Sequence, residues 1–294
     1  MAVRVGLAGA GRWANEMFAP SLASCPTIDF AGVWARRPQP ARDLAERHSV
    51  PAFGRFTEML DHCDAVAFAV PPAAQSDFAM IAAGRSKAVL LGRPIAGDLA
   101  GAEELTDAVV ANQGVSQIAL TWRYTVIVRD FLAKEAKRTW PRGGSGRLIS
   151  GALSTGSSAP LWRVERGVLM DMGTDLLDLL DAALGRTLLI RAHGDASGWV
   201  GLMLEHQGGR YSEVSMYAMA PADQPPRAET EIFGPGGAAA IDCAEVAGRD
   251  AYQTMVAEFA DAVEHGRPHE LDVRHGLHLQ RLLEAADTDL IAGR

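Results

Sequence analysis

Two rhythms of apolar and polar positions divide this chain. Val3–Leu7, Asp29–Trp34, Ala65–Ala69, Ala88–Leu91 and Ser116–Leu120 are short apolar runs that read as buried strands. Stretches of helical period lie between them. The first follows the opening strand and ends near Cys25-Pro26; the next runs from Pro40 to His48. Thr57 is placed to cap a short helix through Leu60, Gly84 to end one from Gln75 to Ala83, and Asp98 to cap one that reaches Asn112. Strands alternating with helices predict a doubly wound parallel sheet.

The rhythm changes after Trp122-Arg123-Tyr124. A helix is expected to about Lys137, a loop over Trp140–Gly146, a strand over Arg147–Thr155, and a helix through Arg166–Asp181. Leu188–His193, Val200–His206, Arg210–Tyr217, Glu229–Phe233 and Ala238–Asp242 then read as strands, with turns at Gly208-Gly209 and Gly234–Gly237. Consecutive strands predict a largely antiparallel sheet, covered on one face by the helix that carries Asp171. Two helices, about Asp250–His265 and Arg274–Ile291, close the chain. The expected fold class is an α/β Rossmann domain over residues 1–121 followed by an α+β domain with an open sheet over 122–294.

The first strand runs straight into Gly9-Ala10-Gly11-Arg12-Trp13-Ala14. This fits G-x-G-x-x-G/A in the strand–turn–helix context that makes the motif meaningful. Gly9 permits the tight turn, Gly11 lets a pyrophosphate approach the backbone, and Ala14 lets the helix pack on the strand. The free N–H groups and positive helix end then face the phosphates. A dinucleotide is therefore the expected ligand, with Arg12 and Trp13 among its contacts. The second strand ends at Ala35-Arg36-Arg37, where an NAD site would carry an acid for the ribose hydroxyls. Two arginines suit a 2′-phosphate, so NADP is expected ahead of NAD. Val70, Pro71, Gln75, Gly92, Arg93 and Pro94 follow the third and fourth strands, at the sheet edge where such ligands sit. The tandem Pro71-Pro72 is expected to hold an extended turn.

Asp171, Asp175 and Asp178 recur at i, i+4 and i+7 and share one helical face. Such spacing ordinarily marks a solvated stripe. Leu176, Leu177, Leu179 and Leu180 leave little of this helix for water, however. Buried carboxylates need partners or shifted pKa values, which makes the cluster an active-site candidate.

Composition narrows the classes. The 294 residues carry 28 Lys+Arg against 36 Asp+Glu, a net charge of −8, which argues against nucleic acid and membrane surfaces. Cys25, Cys63 and Cys243 form no C-x-x-C pair, and reduced thiols in a cytoplasm are expected. Met1 leads directly into a strand, so no signal peptide is expected. No apolar run is long enough for a bilayer. The histidines at 265, 269, 275 and 278 lack the spacing of a metal site, and serine-rich 154–158 lacks a G-x-S-x-G elbow.

The succession of motifs resembles the Gfo/Idh/MocA oxidoreductases, which carry T-P-N-x-x-H and E-K-P after the glycine turn. Val70-Pro71-Pro72-Ala73-Ala74-Gln75 and Gly92-Arg93-Pro94 stand at those places. The family's second motif, G-G-x-x-x-D-x-G-x-H-x-x-D, aligns with Asp171, Gly173, Asp175 and Asp178. Histidine is thus replaced by Gln75 and Asp175, glutamate by Gly92, and lysine by Arg93. The resemblance implies hydride transfer to or from the carbonyl or alcohol of a small polar substrate such as a sugar. Arg93, Asp171 and Asp175 take the catalytic places: Arg93 orients substrate, and Asp171 or Asp175 relays the proton. It also implies a homodimer or homotetramer through the second sheet. Two alternatives within the same resemblance are a non-catalytic NADP-binding sensor or regulator and a glycosidase with transient redox chemistry.

Overall fold

A computed structural model describes residues 2–154, 161–221, 223–244, 246 and 248–293. The chain divides into two compact units, 1–120 with 249–280 and 121–248 with 281–294. The division expected from sequence lies at 121/122; by packing, residues 249–280 return to the first unit.

The first unit begins with β1 (Val3–Ala8), the glycine turn, a π-helical turn Ala14–Phe18 and α1 (Ala19–Ser24). Then come β2 (Ile28–Trp34), α2 (Pro38–Arg47), α3 (Phe56–His62), β3 (Ala65–Phe68), α4 (Pro72–Ala83), β4 (Ala88–Leu91), α5 (Leu99–Ala111) and β5 (Ser116–Ile118). The strands pair in parallel in the order β2-β1-β3-β4-β5. β3 and β4 are buried along their whole length, as expected for strands covered on both faces. Two local expectations need correction. Thr57 lies inside the first turn of α3, and the capping position falls to Arg55 without a side-chain cap. Pro71 is extended, but Pro72 opens α4; a proline in the first helical position gives up no helical hydrogen bond. Asp98 does cap α5, accepting from Gly101 N at 2.9 Å.

The second unit opens with a 3₁₀ turn (Thr121–Tyr124), α6 (Val126–Asp130), a π-helical turn (Phe131–Glu135), α7 (Ala136–Thr139), β6 (Gly143–Ile149) and α8 (Leu161–Leu184). β7 (Thr187–Gly194), β8 (Trp199–His206), β9 (Arg210–Tyr217), β10 (Arg227–Gly234) and β11 (Gly237–Asp242) follow. These strands form a sheet of order β11-β10-β6-β9-β8-β7, antiparallel except where β6 meets β9. α8 packs on one face, against β6, β8, β9 and β10.

Residues Gly143–Gly146 belong to β6 rather than to the expected loop, and the strand stops at Ile149. The glycines are what the helix requires. A Cβ on Gly146 would stand 3.0 Å from Leu176 of α8, and one on Gly144 3.2 Å from Leu184. Of the serine-rich stretch, and of the strand expected to reach Thr155, residues 155–160 lie outside the described residues. α9 (Arg249–His265) packs against α1, and α10 (Val273–Ala292) begins beside β5, where Val273 N donates to Ser116 Oγ at 3.0 Å.

Candidate functional site

In the first unit, the sequence-selected residues collect at the carboxyl edge of the parallel sheet. The chain leaves β1 for β2 on one side and returns to β3 on the other, so β1 and β3 flank the topological switch point. Gly9 sits there with φ +125°, and a Cβ would fall 2.3 Å from the Ala69 carbonyl. Only glycine fits. Its N–H donates to Trp34 O at 2.8 Å, and Val70 lies alongside. One residue thus brings together the ends of β1, β2 and β3. Around Gly11 a Cβ would meet nothing within 4 Å. That open space beside free backbone amides fits a pyrophosphate.

The turn is braced from behind. Asn15 Nδ2 donates to Ala10 O at 2.9 Å and to Gly11 O at 2.7 Å, and Arg47 in turn donates to Asn15 Oδ1. Sequence reasoning missed Asn15, although a polar residue one turn past the second glycine was the available signal. Trp13 is exposed. Arg12 is exposed and paired with Glu16 one turn on, a surface pair of little energetic weight. Beyond β2, Arg36 and Arg37 are exposed, with no hydrogen bond or ion pair to another described residue. Gln75 departs from the expected nucleotide contact: its side chain is buried and bonded to the backbone of the Gly92–Ile95 loop.

In the second unit, the acidic face of α8 is no solvated stripe. Asp171, Asp175 and Asp178 are 5%, 4% and 1% exposed. Their burial calls for partners, and the structure supplies arginines that the sequence reading did not name. Arg163 reaches Asp171 with Nε to Oδ1 and Nη2 to Oδ2, both at 2.5 Å. Arg123, in the 3₁₀ turn, donates from Nη1 to Asp178 Oδ1 at 3.0 Å. One turn further, Asp181 accepts from Thr187 N at 2.8 Å and ties the end of α8 to β7. The buried Cys243 thiol is pushed up to about 12 by burial first, then by the negative charges of Asp242 and Asp175. Asp175 therefore lies within electrostatic reach of the Cys243 thiol.

All three cysteines are buried free thiols. His265 pairs with Asp261, His269 with Glu258, and His275 stands near His278. Among the described residues no group of three or more His, Cys, Asp or Glu is placed to hold a metal ion. No described helix is long and apolar enough to cross a membrane.

Residues 3–119 match the model of the Gfo/Idh/MocA proteins, described as "Oxidoreductase family, NAD-binding Rossmann fold". No curated protein matches the chain by sequence. Among solved structures, GenD2 from gentamicin A biosynthesis, in complex with NAD, is 19% identical with a TM-score of 0.86, covering 100% of this chain and 95% of its own. A putative myo-inositol dehydrogenase from Sinorhizobium meliloti 1021 is 18% identical with a TM-score of 0.87, covering 100% and 98%. UDP-N-acetylglucosamine 3-dehydrogenase GnnA from Acidithiobacillus ferrooxidans is 18% identical with a TM-score of 0.83, covering 100% and 99%. At these identities the likeness is one of fold. Over residues 3–119 the chain is similar to the nucleotide-binding segment of the Gfo/Idh/MocA oxidoreductases.

Proposed function

We propose that the chain is an NADP-preferring dehydrogenase or reductase acting on the carbonyl or alcohol of a small polar substrate such as a sugar derivative. The observation that carries this reading is the glycine cradle at the switch point of the first unit, with open space at Gly11. Bound nicotinamide supplies or takes the hydride. The Gly9–Trp13 turn would hold the pyrophosphate, and Arg36 with Arg37 the 2′-phosphate. Arg93 is assigned to orient the substrate, because a guanidinium clamps an anionic or developing alkoxide oxygen but does not release a proton near neutrality. The proton relay is assigned to α8. Both oxygens of Asp171 already accept from Arg163, so Asp171 would have to leave that pair to serve. Asp175, one turn on along the same helical face, is the residue on which the relay is tested.

The reading extends to assembly. The sheet face opposite α8 exposes Trp199, Met203, Tyr211 and Phe233 beside Arg147, Arg191, Glu213 and Glu231. Apolar side chains ringed by both charge signs suit a self-complementary contact between two copies. A second reading, an NADP-binding sensor without turnover, draws on Arg93 standing at the family's lysine.

The test is a panel of sugars, sugar nucleotides, keto-acids and aldehydes with NADPH and NADP. The dehydrogenase reading expects turnover with some member, and at least a 100-fold loss in Asp175→Asn. NADPH binding without turnover anywhere in the panel favours the sensor. No nucleotide binding overturns both.

A further inference from the structure

Gln75 lies in the first turn of α4, its N–H donating to Pro71 O at 2.9 Å. Its side chain is 1% exposed. Oε1 accepts from Gly92 N at 2.7 Å. Nε2 donates to Gly92 O at 3.1 Å and Ile95 O at 2.9 Å, with Pro94 O at 3.4 Å. One carboxamide thus grips the backbone on both sides of Arg93. The chemistry is demanding. The loop offers one donor and several carbonyl acceptors, and a neutral carboxamide presents an acceptor and two donors in one plane. Glutamate has no donor when ionised, and leucine would leave the buried groups unmatched.

Gly92 completes the fit. A Cβ there would stand 3.2 Å from Gln75 Oε1, tighter than ordinary contact. The two positions are therefore coupled in space. We propose that Gln75 and Gly92 are a matched pair, and that Gln75 is the positioning residue for Arg93. The pair accounts in one step for two departures from the family motifs, glutamine in place of histidine and glycine in place of glutamate. A side chain at 92 crowds the carboxamide clamp at 75. The inference rests on the reading of Arg93 as the group that meets the substrate or nucleotide.

The test uses the full chain. Hydrogen–deuterium exchange compares wild type with Gln75→Leu, and with Gln75→Asn, which keeps the amide but withdraws it by one methylene. Uptake is expected to rise at least tenfold in rate in peptides covering Gly92–Ile95, with β1 and β3 unchanged. Gly92→Ala should loosen the same peptides, and less so in the Gln75→Asn background, where the shorter side chain makes room. NADPH affinity and, where turnover is found, kcat are then measured for Gln75→Asn, Arg93→Ala and the double variant. A positioning role predicts that Gln75→Asn costs at least fivefold in one of these when Arg93 is present, and less than twofold in the Arg93→Ala background. Unchanged exchange in the loop, or full additivity of the two substitutions, overturns the proposal. Wild-type protein that binds no NADPH overturns the functional reading instead, and the exchange of the loop then decides the clamp alone.

Discussion

Arg163 and Asp171 face each other through two parallel 2.5 Å hydrogen bonds, although eight residues separate them on α8. In a regular helix, eight residues lie about 12 Å apart along the axis, too far for this pair. The bend at Gly167 makes it possible: φ +71° and ψ −178° break the helix, and a Cβ would fall 2.3 Å from the Ala196 carbonyl. Asp171 is 4% exposed at its side chain and Arg163 21%. Removing one partner of a buried ion pair costs up to about 3–5 kcal/mol. Arg163→Met is expected to cost about 3 kcal/mol in denaturant unfolding, and Arg163→Met with Asp171→Asn less than the sum of the two singles. A double-mutant cycle closing within 0.5 kcal/mol of additivity, about the scatter of independent sites, would show that the pair does not couple.

Much of the fold was legible because strand and helix periods carry it. β4, β9 and the Asp98 cap stand where the pattern places them. Gly143–Gly146 were misread because four residues rich in glycine look like a loop in one dimension. Their reason for being glycine is a helix some thirty residues later, and no local signal contains it. The site divides the same way. The glycine turn and the aspartate face follow from short spacing. The partners Arg123 and Arg163 do not, because each pairing depends on a 3₁₀ turn or a helix break formed only in three dimensions. Gln75 was read as a nucleotide contact because it follows the prolines; its amide is instead consumed by the neighbouring loop.

A second buried group makes stability depend on pH. His206 is fully buried; its Nδ1 lies 2.8 Å from Gly185 O and its Nε2 2.7 Å from Ser212 Oγ. A carbonyl only accepts, so Nδ1 carries the proton and the serine hydroxyl donates to Nε2. A second proton, at Nε2, would require the hydroxyl to turn and accept instead. Burial, with a smaller contribution from Arg210, pushes the imidazole below its usual 6.5, against the opposing pull of Gly185 O and Asp181. The unfolded chain takes up a proton near 6.5 and the folded chain only at lower pH. The stabilisation is thus present above about pH 6.5 and is lost as pH falls through the folded value. His48, lowered chiefly by burial, acts in the same direction. The thermal midpoint is expected to fall between pH 7.5 and 5.5, and His206→Asn to flatten that slope while lowering stability at pH 8 by about 1–2 kcal/mol. An unchanged slope in His206→Asn would assign the pH dependence elsewhere.

Cofactor choice is the sharpest question the first unit poses. Gly9 N bonds to Trp34 O at 2.8 Å, so the glycine turn and the end of β2 are fixed side by side. On the proposed reading, a dinucleotide on the turn would present its adenosine ribose to Ala35, Arg36 and Arg37. An acid at that strand end would take the 2′- and 3′-hydroxyls of NAD, and would repel a 2′-phosphate. Alanine does neither. The two arginines that follow are exposed, so closing on a phosphate breaks no existing pair with a described residue. Hydrogen bonds to a charged group are worth about 1.5–3 kcal/mol each, or roughly 10–100-fold in affinity. Arg36→Ala with Arg37→Ala is therefore expected to weaken NADPH at least tenfold by fluorescence titration and NADH less than threefold. Ala35→Asp in that background should recover NADH binding and worsen NADPH further. Equal losses for the two nucleotides in the double variant would remove the 2′-phosphate from this strand end and leave NAD as the natural ligand.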